Sequence, residues 1–180
     1  MTPRLALAAV FIISLIGGVA AKEGKKSQKN TSARTWKDIF DHSWKTGTDW
    51  PIKAPSAKNL GYSSDVMKAR GVSIDQKSSA DNREHSIVIV YDLDNTGTAK
   101  PVDMVLGTMR VTEVKDGKLI DGYRLRLDLD GKPIKAMHSS GLVGHVVQEV
   151  LSANSKEAQQ VYKAEKELYL NNIDLKKLTP

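Results

Sequence analysis

The chain has 180 residues and no cysteine, with 40% hydrophobic and 27% charged residues and a formal net charge of +6. Without cysteine there is no disulfide framework and no cysteine-linked lipid anchor, so the fold has to stand on its own core or on a bound partner. The charge is carried mostly by lysine, and the lysines of the segment after residue 21 have no interleaved aromatics, a distribution that gives an electrostatic field but no nucleic-acid site.

The first residues read as an export signal. Arg4 supplies a positive head, Leu5 to Ile16 is an unbroken apolar run, and Gly17 to Ala21 is small, with Val19 and Ala21 at the positions a signal peptidase accommodates. Residues 1–21 are therefore expected to be a signal peptide cut after Ala21. The alternative, an uncleaved anchor, is weakened by the two glycines, because the charge-free run only just reaches the roughly 17 residues a bilayer span needs.

Residues 22–32 carry Lys22, Lys25, Lys26 and Lys29 among polar residues and read as a disordered basic leader, weakly attracted to anionic surfaces. Asn30-Thr31-Ser32 is a glycosylation sequon if the source is a eukaryote. The expectation is a secreted or periplasmic protein with no stable membrane insertion after cleavage. Its single α+β domain would span 33–180, and a mature chain of roughly 160 residues suffices for a self-supporting core.

Within that domain Trp36, Ile39, Phe40 and Trp44 recur at helical spacing, predicting a helix over about 33–45 that Ser32 caps and Gly47 ends. Residues 51–85 are rich in Pro, Ser, Gly and Lys and read as loop, apart from a short helix over 64–70 closed by Gly71. The stretch 77–84 has no apolar periodicity and reads as a surface excursion.

Extended character begins at Ser86. Strands are predicted over 86–92, 102–114, 118–129 and 132–138, with reversals at Lys115-Asp116-Gly117 and Asp130-Gly131. The third has the clearest alternation: Leu119, Tyr123, Leu125, Leu127 and Leu129 on one face, Arg124, Arg126 and Asp128 on the other. These segments predict an antiparallel β-meander. Over 141–152, Leu142, Val143, Val146, Val147, Val150 and Leu151 fall four apart and read as a helical stripe, although the valines and Gly144 also suit an extended path. Ser155 caps a final helix to about Leu170 that lays Ala158, Val161, Tyr162, Leu168 and Tyr169 on one side. That helix, and the tryptophan-bearing one, are expected to pack on the sheet.

The run from Ile87 to Thr96 ends in Asp92-Leu93-Asp94-Asn95-Thr96 and resembles the first signature of the haloacid dehalogenase-like phosphatases. The resemblance covers about ten residues, a length at which context decides. It implies Asp92 as phosphoryl-accepting nucleophile, Asp94 as general acid/base, magnesium beside them and a parallel sheet. The chain departs from the family in placing the motif midway, in Gly97, and in the hairpins that follow. The same stretch also reads as a calcium loop of Asp92, Asp94, Thr96 and Asp103, or simply as turn formers.

The four histidines show no metal-type spacing, and His138 beside Ser139 points to the opposite side of an extended chain. The leading expectation is a non-catalytic domain binding a small apolar ligand or a macromolecular partner, with no cofactor. Trp36, Trp44 and Tyr123 are the candidate ligand residues, and the Leu and Tyr face of the third strand is the candidate groove.

Overall fold

The computed structural model describes residues 33–50, 54–63 and 68–180. The export signal, the basic leader and the sequon lie outside these residues. The elements in chain order are α1 (Trp36–Thr46), β1 (Thr48–Asp49), α2 (Ala54–Asn59), β2 (Lys68–Ile74), β3 (Glu84–Leu93), β4 (Ala99–Val114), β5 (Gly117–Leu127), β6 (Pro133–Leu142), β7 (His145–Ser152) and α3 (Lys156–Glu167).

All seven strands form one antiparallel meander, each paired with its neighbour in sequence. Helices α1 and α3 share one face of it. Trp36 and Ile39 of α1, with Ala158 of α3 and Tyr169 just beyond it, pack on Ile87, Ile89, Leu106, Leu125 and Leu127. Fully burying a side chain such as Ile39 stabilises the fold by about 1.5–3 kcal/mol. The α+β meander with its two helices is thus as the periodicities predict.

Four local readings are corrected. Helix α1 is capped by Thr35, one turn later than predicted, because Thr35 and Asp38 exchange side-chain and backbone bonds in a capping box. Residues 68–70 belong to β2, where Ala69, Val72 and Ile74 are buried in an extended pattern, so the chain runs straight through Gly71; residues 64–67 of the predicted helix lie outside the described residues. A short helix, α2, interrupts what reads as loop.

The stripe over 141–152 is an edge strand, with Val143 and Gly144 turning between β6 and β7. Gly144 turns at φ 95°, and the β-branched valines then follow the extended path.

The hairpins β3–β4 and β5–β6 use one turn formula. Asp94 Oδ1 accepts the N–H groups of Thr96 and Thr98 at 2.9 and 3.0 Å, with Gly97 at φ 80°. Asp128 Oδ1 accepts those of Asp130 and Lys132 at 3.0 and 2.8 Å, with Gly131 at φ 83°. In both, an Asp holds the turn and a glycine three residues on takes the positive φ.

Candidate functional site

The second face of the sheet has a different cover. Alternation sends Val88, Val90, Val105 and Met137 to this side, where Ala57, Leu60 and Tyr62 of the α2 segment pack on them. A buried polar pin fixes that segment. Asp103, 2% exposed, accepts from the Tyr62 hydroxyl and, at 2.7 Å, from Arg126 Nε; Arg126 also lies 4.2 Å over the Tyr62 ring and donates to Leu60 O at 3.0 Å. Burial raises the Asp103 carboxyl above its ordinary range, and its two donors pull back against that rise. Burial, then the Asp103 carboxylate, pushes the Tyr62 phenol far above its usual value.

Beside this segment a pocket of about 110 Å³ opens on the same face. Strand register lays out its floor in two cross-strand rows: Glu84, Met109, Gly122 and Ser139, then Ser86, Gly107 and Arg124. Gly107 and Gly122 make the hollow. A Cβ on Gly122 would stand 2.7 Å from Thr108 O, and one on Gly107 would strike the Ser86 hydroxyl. Trp50, Val88, Val105 and Ile120 supply apolar wall, and Trp50 leans over Gly71, where a Cβ would come within 2.9 Å of its ring.

Arg124 and Glu84 put one charge of each sign at this pocket, and neither is in an ion pair among the described residues. Arg124 is exposed and donates to Ser56 Oγ at 3.0 Å. Crowding by neighbouring protein atoms draws its pKa down and Glu84 opposes that, but a guanidinium stays protonated throughout the accessible range. The site therefore offers a fixed cation with the Glu84 carboxylate across the floor from it, hydroxyls of Ser86 and Ser139, and apolar walls. Its volume falls below the roughly 300–1,000 Å³ of drug-sized sites, so it admits a small molecule or one end of a longer one.

Of the sequence-derived candidates only Tyr123, between Gly122 and Arg124, borders this pocket, and its ring is turned to Glu157 and His138. Trp36 is in the core, its ring 6.4 Å from that of Tyr162. Trp44 is half-buried at the core margin, edge-on to Tyr91 at 5.2 Å with Arg70 over its ring. Tyr123 is on the helix-covered face, donating to Glu157 Oε1 at 2.6 Å and stacked at 4.3 Å on His138. The three do not converge. The Leu and Tyr face of β5 is likewise occupied by the core, and the pocket lies on its arginine face. Ser139 lines the pocket while His138 faces the helices, as an extended chain requires.

The acidic motif also disperses. Its strand, β3, is antiparallel to both neighbours, so the parallel sheet implied by the phosphatase resemblance is not the architecture here. Asp92 sits opposite Lys100, Asp94 and Thr96 close a turn, and Asp103 is buried under Tyr62. Bonds from the Thr96 hydroxyl, then from backbone, hold the Asp94 carboxyl below its ordinary value. Among the described residues no three His, Cys, Asp or Glu side chains are grouped to hold a metal ion, so neither the magnesium nor the calcium arrangement is assembled.

On the helix side a polar rank runs across the sheet where the core ends: His85, Thr108, Tyr123, His138 and Glu149 are successive cross-strand partners. His138 Nε2 lies 3.0 Å from Asp121 Oδ1, which Arg83 also bonds at 2.8 Å through the other carboxylate oxygen. Burial would raise Asp121, yet its bonds to His138 and Arg83 leave it below its usual value. The rank fastens α3 to the sheet through Glu157 and Glu165.

The fold and the pocket define a class: a cysteine-free α+β domain whose antiparallel meander carries two helices on one face and a small amphipathic pocket on the other. No family model matches the chain, and no curated protein or solved structure matches it either.

Proposed function

We propose that the protein is an exported, non-catalytic domain that binds a small, largely apolar ligand with an anionic head on the open face of its sheet. The pocket carries this reading: Arg124 offers a permanent cation at the rim of a hollow that Gly107 and Gly122 leave between Trp50, Met109 and Ile120. An apolar body loses water against those walls, and the guanidinium pairs with a carboxylate in a forked geometry. Export rests on the order of Arg4, the apolar run and Gly17 to Ala21, and agrees with a fold that needs no cysteine. Among the described residues no helix is long and apolar enough to cross a membrane.

Octanoate is a suitable probe, with octylamine as its cationic counterpart. Octanoate is expected to change tryptophan emission saturably, octylamine to do so far more weakly, and Trp50→Phe to remove most of the response. Arg124→Gln should abolish the preference for the carboxylate. Equal responses to both probes, or none to either, would reject the reading.

A further inference from the structure

The two edges of the sheet are treated differently by the chain. On the β2 side, β1 pairs with Gly71 and Arg70, Trp50 N donates to Ala69 O at 2.9 Å, and Thr179 exchanges backbone bonds with Ser73 at 2.7 and 3.0 Å. That edge is covered at both ends. On the other side β7 ends the sheet, and no described strand lies beyond it.

Strand β7 lacks most of the usual guards of an open edge, Glu149 being its one acidic side chain. His145 to Ser152 contains no lysine, arginine or proline and forms no bulge against β6, while Val146, Val147 and Val150 are exposed, Val147 to 69%. A strand of this length with unpaired backbone groups and exposed valines is a template for another strand.

We propose that β7 pairs antiparallel with β7 of a second copy, about a two-fold axis at Val147, so that one sheet runs through both molecules. The strand's own charges select this occupant. Side chains opposed across an antiparallel pair share a face, so an axis normal to the sheet must pass midway between the two copies of one residue.

An axis at Glu149 opposes two carboxylates, and one at Gln148 sets each Val147 against a Glu149. At Val147 the two valines meet, and each Glu149 faces the partner copy's His145, a favourable acid–imidazole pair on either side of an apolar centre. The most exposed valine of the strand is then the one covered. This inference stands apart from the ligand pocket.

The absence of cysteine from the whole chain makes the test clean. Opposed Cα atoms in an antiparallel pair lie about 4.5–5.5 Å apart, within the reach of a disulfide. Light scattering of the purified protein should give twice the mass of one chain. Val147→Cys should cross-link to a covalent dimer under mild oxidation, and Val150→Cys, whose copies would lie about 20 Å apart at roughly 3.4 Å per residue, should not. Val147→Lys should return the protein to a monomer with an unchanged far-ultraviolet spectrum. A wild-type monomer, or cross-linking at position 150 instead of 147, would overturn the proposal.

Discussion

His85 Nδ1 lies 3.1 Å from both carboxylate oxygens of Glu165, and its Nε2 lies 3.0 Å from Asp81 Oδ1. One buried imidazole thus ties β3 to α3 and to the loop before β3. Burial by itself would lower the His85 pKa; the bonds and charge of Glu165, then those of Asp81, outweigh it and hold the ring above its ordinary value.

The linkage has a sign. A group whose folded pKa is raised contributes stability that is complete below its unfolded value, about 6.5 for histidine, and lost as pH rises through the folded value. The melting temperature should therefore fall on going from pH 6 to alkaline pH, and His85→Gln should flatten that slope. Asp81, held low by His85 against the opposing pull of burial, acts oppositely: its contribution is lost as pH falls below about 4. Thermal melts across pH check both limbs.

Gly131 is expected to tolerate no side chain. It sits at φ 83°, its missing Cβ would run into the Trp36 ring, and its carbonyl accepts from the Tyr162 hydroxyl at 2.7 Å. Strain from positive φ and overpacking add, so Gly131→Ala should cost about 2–4 kcal/mol in denaturant unfolding. Gly117→Ala, at a turn with nothing within 4 Å of the added carbon, pays only for its backbone conformation and should cost less.

Tyr62→Phe should loosen the α2 segment. Asp103 would keep Arg126 but lose a buried donor, at a cost of about 1–3 kcal/mol. Amide exchange should quicken over 56–62 before it does in β4 and β5.

Gly107→Ala should remove ligand binding with little loss of stability. Its added carbon meets a serine hydroxyl that can rotate away, whereas on Gly122 it meets backbone. A melting temperature near wild type together with lost octanoate binding is the expected pair of results.

Much of the fold was legible because several strands carry strong periodicity: Leu125 and Leu127 against Arg124 and Arg126 read directly as the two faces of one strand. The stripe over 142–151 misled because valines four residues apart satisfy a helix and a strand alike, and only the turn at Gly144 and pairing with β6 decide between them. Asp92 to Thr96 looked like chemistry in isolation. The recurrence of its Asp-x-x-Gly core at Asp128 to Gly131 shows a hairpin formula in which the carboxylate is spent on backbone N–H groups.

The pocket was hidden for another reason. Its floor consists of the absent side chains of Gly107 and Gly122, and its walls come from rows that only register aligns. Two glycines interrupting otherwise good strands were the available signal. Arg124 was visible on the polar face of β5, but nothing local said that this face was the open one.

The most direct test of the central claim is amide chemical-shift mapping of the labelled protein titrated with octanoate. Saturable shifts confined to Ser86, Gly107, Gly122, Arg124 and the Trp50 indole are the predicted result. Shifts centred instead on Trp36 and Trp44 on the helix-covered face, or no saturable shift at all, would contradict it.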